Sequence, residues 1–216
     1  MMKLLSVPFY PQQKEDTCLL ACLQMVLGYY NTSITEADLE NLVPRIKDSK
    51  SFHIADVGSE AIRQGFETSM FCFDLSWIFS NRHIGLPKSK LVKKFESWIK
   101  SSQKNLRYRK PYLNFLRQGG EIAVRVPNVN EITALIDKGV PVITSVESRP
   151  FFGDAAKIDA GHGVVVVGYD QKHIYIHDPL NPQKAHAKGE GFKMDRDQFT
   201  FCWYRRYANT LVIKRK

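Results

Sequence analysis

The sequence predicts an α+β domain in which helices come first and strands later, in segregated layers. Three observations carry this. Apolar residues recur at helical spacing through much of the chain before the last third. Apolar β-branched runs then take over. At 216 residues and 44% hydrophobic content, the chain can bury one sizeable core and fits a single domain over 1–216 better than two.

The elements follow in order. Residues 18 to 30 read as a helix that is apolar almost all round and therefore belongs in the core, with Asp16-Thr17 as its N-cap. Ser33 or Thr35 opens an acidic helix near 35–42, and Ile54 to Gln64 forms another, closed by Gly65. Phe66 to Phe73 reads as a short strand. Leu91, Val92, Phe95, Trp98 and Ile99 fall at i, i+1, i+4, i+7 and i+8, which predicts an amphipathic helix from Lys88 to Gln103. Lys90, Lys93, Lys94 and Lys100 take its other positions. Tyr112 to Arg117 is a second short helix, ended by Gly119-Gly120. Glu131 to Lys138 is a helix capped by Asn130 and stopped by Gly139, and Val140 to Val146 is a strand. Val164 to Tyr169, His173 to His177 and Leu211 to Ile213 complete the sheet.

Composition narrows the class. The first residues carry too short an apolar run for a signal peptide, and no stretch approaches a membrane span, so a cytoplasmic location is expected. Four cysteines are too few for a disulfide framework, and the spacings of Cys18, Cys22, Cys72 and Cys202 make no paired zinc motif. Reduced thiols, with no cofactor or metal, are the expectation. The net charge of +9 is unevenly placed: residues 88–117 hold ten Lys or Arg against one acid, Glu96. This basic helical insertion reads either as a contact surface for an anionic partner or as a solvated face.

The chemistry gathers around Cys18. A thiol at the first turn of a helix faces unpaired backbone N–H groups and the positive end of the dipole, both of which favour thiolate. Cys22 lies one turn inside the same helix, and it, Cys72 and Cys202 read as packing. If Asp170 marks the tip of an odd-membered loop, Val166 pairs with Ile174, Val164 with Ile176, and His162 with Asp178. Directly opposed residues share a face, with Cβ atoms about 5 Å apart. Asp178 can then fix the tautomer of His162 and leave its other nitrogen for a nucleophile's proton. His173 and His177 alternate to the other face. Acyl transfer also needs donors at the developing oxyanion; the N–H of Cys18 is one, and Gln12 and Gln13 are both candidates for the second.

These residues carry a resemblance. Val7-Pro8-Phe9-Tyr10-Pro11-Gln12, Asp16-Thr17-Cys18-Leu19-Leu20-Ala21-Cys22, the run Gly161-His162-Gly163 through Asp170, and Tyr175-Ile176-His177-Asp178-Pro179 resemble the double-glycine leader (bacteriocin-processing) peptidases and their stand-alone relatives. These are papain-like cysteine peptidases, so the resemblance implies a papain-like fold with the nucleophile helix packed on a C-terminal antiparallel sheet. It implies Cys18 as nucleophile, Gln12 as oxyanion glutamine, His162 as general base and Asp178 as its orienting acid. It covers both ends of the chain but not residues 45–120, and Leu19 stands where the family usually has glycine.

The function expected is therefore a cysteine-dependent hydrolase that cleaves a peptide or isopeptide bond in a peptide or protein substrate through an acyl-enzyme. An acyltransferase or glutamine-modifying enzyme with the same triad is one alternative, and a non-catalytic binding module with a basic contact surface is another.

Overall fold

The computed structural model describes residues 2–47, 49, 51–73, 83–102, 104–156 and 160–216. The chain runs β1 (Lys3–Leu4), α1 (Cys18–Tyr29), α2 (Glu36–Leu42), α3 (Ile54–Arg63), β2 (Glu67–Cys72), α4 (Lys88–Ser101), α5 (Leu106–Arg117) and β3 (Glu121–Val124). It continues with α6 (Val129–Asp137), β4 (Val142–Glu147), α7 (Ser148–Phe152), a 3₁₀ turn at Gly153–Ala155, β5 (Gly161–Tyr169), β6 (His173–His177), β7 (Phe192–Asp195), α8 (Arg196–Tyr204) and β8 (Thr210–Lys214).

The strands form one sheet in the order β3-β2-β8-β4-β5-β6-β7, with β1 adding to β5. Every pair is antiparallel except β2 with β3, which run parallel. The sheet is thus more than a C-terminal hairpin array: β2 and β3, from the middle of the chain, extend it past β8. Helix α1 packs on β4 and β5 and buries Leu20, Leu23, Met25 and Leu27 completely. Its apolar surface has no solvent-facing stripe to spare, as its sequence predicts. Its N-terminus, where Cys18 sits, meets the start of β5.

Local sequence explains most boundaries. Thr35 caps α2 in a capping box with Asp38, and Asp195 caps α8 by accepting from the N–H groups of Asp197 and Gln198. Helix α6 starts two residues earlier than the Asn130 cap predicts. Asn128 is the cap, because its side chain accepts from Asn130 N–H while Glu131 reaches back to the N–H of Asn128. Helix α5 also starts earlier than Tyr112. Pro111 lies inside it, which costs the bond that would go to the carbonyl of Arg107, and burial of Tyr112, Leu113, Phe115 and Leu116 holds the helix across the break. Gln103, the predicted end of α4, lies outside the described residues.

The hairpin that carries the site differs from its predicted register. The observed pairs are Val166 with Ile176 and Gly168 with Tyr175, with a bulge between Val166 and Gly168. Asp170 is not the tip of the loop: its carboxylate accepts from the N–H groups of Lys172 and His173 at 2.7 Å each, which makes it the first residue of a four-residue turn. Turn and bulge together slide β6 by two residues. Side chains keep their faces because the slip is even. Continuing the register sets Asp178 across from Val164, one diagonal step from His162, still within reach of a hydrogen bond.

Candidate active site

Cys18 is the first residue of α1. Thr17 holds the N-cap position, yet its side chain makes no cap bond. Its hydroxyl donates instead to the carbonyl of Lys14 at 2.7 Å, a correction to the expectation that Asp16-Thr17 would cap the helix. Asp16 turns the chain at φ 65°, in the left-handed region that Asp tolerates better than most residues. The helix entry is therefore not covered by a side-chain acceptor, and its amides are available around the thiol. Gly163 N–H donates to Cys18 Sγ at 3.3 Å, and the N–H of Leu19 also reaches it.

His162 lies near the start of β5. Its Nε2 is 2.6 Å from Asp178 Oδ1, slightly shorter than the usual charge-assisted N–H···O bond, and the same imidazole hydrogen-bonds to the Cys18 thiol. Asp178 has no exposed surface and accepts two further bonds, from Leu180 N–H at 3.0 Å and Lys188 N–H at 2.8 Å. Three donors thus converge on one carboxylate and fix its plane. Burial would push the Asp178 carboxyl up, but His162 and the two amides hold it below its ordinary range.

The thiol and the imidazole shift in opposite directions. Burial alone would raise the Cys18 thiol; the hydrogen bond and charge of His162, with the amides of Gly163 and Leu19, outweigh it and lower the pKa. Burial alone would lower His162, yet its bonds to Asp178 and Cys18 carry it up to about 9. Both directions favour a thiolate–imidazolium pair at neutral pH. The other thiols lack this environment: burial and the neighbouring Cys18 and Asp178 charges push Cys22 well up, burial takes Cys202 to about 11, and Cys72 is buried.

Three other histidines are committed elsewhere. His177 Nε2 donates to the carbonyl of Val7 and its Nδ1 accepts from Gly191 N–H, while His173 faces Asp170. His53 caps α3 through Nδ1, and burial lowers it to about 4, so it is neutral. Among the described residues, no group of three or more His, Cys, Asp or Glu is arranged to hold a metal.

Gln12 is buried, and its N–H donates to the carbonyl of Pro179 at 2.7 Å, which ties the loop before α1 to the residue after Asp178. Its Nε2 donates to Lys14 O at 2.9 Å, leaving the second amide proton for another acceptor. Gln13 is exposed, with its Nε2 on the carbonyl of Pro11. The structure thus brings Cys18, His162, Asp178 and Gln12 together.

Two cavities meet at Cys18. One, of about 560 Å³, is lined by Gln12, His162, Phe152, Leu180 and His186. The other, of about 320 Å³, is lined by Leu19, Gly163, Tyr108, Tyr112, Arg206 and Asn209. Tyr108 and Tyr112 belong to α5, so the basic insertion flanks the cleft. Sequence reasoning passed over Arg206 and Asn209, which lie between α8 and β8 and reach the cleft only through the fold. Leu19 narrows the second cavity: a Cβ on Gly163 would lie 2.8 Å from Leu19 Cδ2. A Cβ on Gly161 would meet the Arg206 guanidinium at 2.7 Å, so both glycines around His162 serve close approach. Phe152 stands against His162 at 5.1 Å between ring centres, on the imidazole side of Cys18.

The sequence profile of the Peptidase_C39 like family matches residues 4–210. Among solved structures, a protein from Bacillus anthracis described as a C39-like peptidase has a TM-score of 0.50 and 17% identity over 99% of this chain and 98% of that one. The peptidase domain of Streptococcus ComA, a bi-functional ABC transporter of a quorum-sensing pathway, has a TM-score of 0.50 and 16% identity over 99% and 98%. A double-glycine-motif protease from an AMS/PCAT transporter, solved with its leader peptide, has a TM-score of 0.48 and 16% identity over 99% and 95%. No curated protein matches the sequence. No helix among the described residues is long and apolar enough to cross a membrane.

Proposed function

The chain belongs to the Peptidase_C39 like family and is a cysteine peptidase with the papain-like fold, and on that premise we propose that Cys18, His162 and Asp178 form its catalytic triad, with Gln12 completing the oxyanion site. The observation that carries this reading is the unbroken chain of bonds from the Cys18 thiol through His162 to the buried Asp178, opening into both cavities. The substrate is a peptide or protein, and residues 1–216 act as one catalytic domain in which 88–117 are an insertion.

The thiolate of Cys18 attacks the carbonyl carbon, forming a C–S bond and an oxyanion. That oxyanion accepts from the N–H of Cys18 and from Gln12 Nε2. His162, already protonated, gives its proton to the leaving nitrogen as the C–N bond breaks, and a thioester remains. Neutral His162 then takes a proton from water, whose oxygen attacks the thioester. Loss of the carboxylic product breaks the C–S bond, returns Cys18 as thiolate and leaves His162 protonated. Asp178 keeps the imidazole oriented throughout and stabilises its charged form.

Limiting iodoacetamide at neutral pH, followed by peptide mapping, tests the assignment. Modification should fall on Cys18 and slow sharply in His162→Ala. Labelling spread over the four cysteines, or unchanged by His162→Ala, would overturn it.

A further inference from the structure

We propose that the basic groove beside the start of α5 docks an acidic segment of the peptide substrate, on the N-terminal side of the bond that is cleaved. This rests on the proposed roles of Cys18 and His162, because those roles orient the cleft. The leaving amine must lie beside its proton donor. His162 lines only the larger of the two cavities that meet at Cys18, so that one receives the C-terminal part of the substrate. The acyl part therefore runs into the cavity walled by Leu19, Gly163 and Arg206.

Ile46 connects this cavity to another. It lines the acyl-side cavity and also a groove of about 740 Å³ between residues 44–47 and the first turns of α5. A chain that leaves the acyl side past Ile46 enters that groove. Four cations line it, Arg45, Lys47, Arg107 and Lys110, against one carboxylate, Asp56. Lys47, Arg107 and Lys110 are exposed and make no ion pair among the described residues. Arg45 is held by Glu40 and lies over the Phe52 ring. Asp56 is nearly buried, and burial pushes its carboxyl up to about 6, which weakens it as a counter-charge. The first turn of α5 carries no acid and no side-chain cap, so nothing acidic on the helix itself offsets the cations there. The surplus is complementary to a run of Asp or Glu. Continuity with the cleft that ends at Cys18 favours a peptide over a polyanion without a scissile bond.

Peptide aldehydes test this on the full chain. The probes are acetylated peptides with a block of four glutamates, a spacer of one to four glycines and a C-terminal aldehyde that adds reversibly to Cys18. The readout is protection of Cys18 from iodoacetamide. At one or more spacer lengths the glutamate probe should protect at a concentration at least about tenfold below that of its glutamine counterpart, and salt should erode the advantage. Lys47→Glu/Arg107→Glu/Lys110→Glu should abolish it, and Lys110→Glu alone should reduce it; these side chains are exposed, so the core is untouched. Lys90→Glu/Lys93→Glu/Lys100→Glu on α4 should retain it.

Equal protection by glutamate and glutamine probes, or equal loss in the α4 variant, would overturn the groove. So would protection by a thymidine oligonucleotide matching the glutamate probe. If instead Cys18 is not labelled selectively at all, the triad has failed and not the groove. The groove is then measured directly by anisotropy of a fluorescein-labelled glutamate peptide on Cys18→Ala, where the groove variants should weaken binding at least about tenfold and equal binding would overturn it.

Discussion

Replacing Asp178 with Asn tests the link between the buried carboxylate and the imidazole of His162. In the native protein three donors point at Asp178: His162 Nε2, Leu180 N–H and Lys188 N–H. An amide can accept from only one side, so one donor must face an NH₂ group, at a stability cost of about 1–3 kcal/mol. The chemical effect is separate. His162 rises from 6.5 to about 9 on the strength of its bonds to Asp178 and Cys18. At about 1.36 kcal/mol per pKa unit, that difference is worth roughly 3 kcal/mol of preference for imidazolium. If Asp178 supplies about half, its loss removes roughly 1.5 kcal/mol, or about one unit from the pKa of His162. The assay is the pH dependence of peptide cleavage, with circular dichroism confirming the fold. The base limb, where His162 loses its proton, should fall about one pH unit lower in Asp178→Asn than in wild type, while the acid limb set by Cys18 should move little. Superimposable profiles from a folded variant would refute the role given to Asp178.

The pH dependence of peptide cleavage should be bell-shaped, with an acid limb below the usual thiol range, where Cys18 takes up a proton, and a base limb near 9, where His162 loses one. A profile that keeps rising above pH 10 would contradict this. Gln12→Ala should lower kcat by about 10²–10³ with KM little changed, the loss seen when one oxyanion donor is removed, while the exposed Gln13→Ala should stay within about twofold of wild type; steady-state kinetics on one peptide reads both. Gly163→Ala should slow alkylation of Cys18, because its Cβ would lie 2.8 Å from Leu19 Cδ2 and displace an amide that donates to Sγ. Adding Leu19→Ala should restore much of the rate, and a double variant no faster than the single one would show that the two do not share that space.

Much of this architecture is legible in the chain because the signals are local. The all-round apolar pattern of α1, the capping box at Thr35 and the β-branched run of β5 state their own structure, and Cys18, His162 and Asp178 announce themselves by helix entry and strand parity. What the chain hides is set by tertiary packing. Helix α5 crosses Pro111 because its buried face outweighs one lost bond, and β3 and β7 are four-residue strands that need neighbours to define them. Helix α8 carries a readable signal, Phe199, Cys202 and Trp203 behind an Asp195 cap, that a strand-rich surrounding obscured. The predicted pairing of His162 with Asp178 survives a two-residue slip only because the slip is even. Arg206 and Asn209 reach the cleft from the loop between α8 and β8, and no spacing in the sequence ties them to Cys18.

The most direct measurement of the central claim is digestion of a proteome-derived peptide library by wild type and by Cys18→Ala, with new termini read by mass spectrometry and the acid-quenched wild type mapped for acyl adducts. The triad predicts a set of new termini with wild type, an acyl group on Cys18, and none of those termini with Cys18→Ala. The same termini from Cys18→Ala, or an adduct on Cys22, Cys72 or Cys202 in place of Cys18, would contradict it.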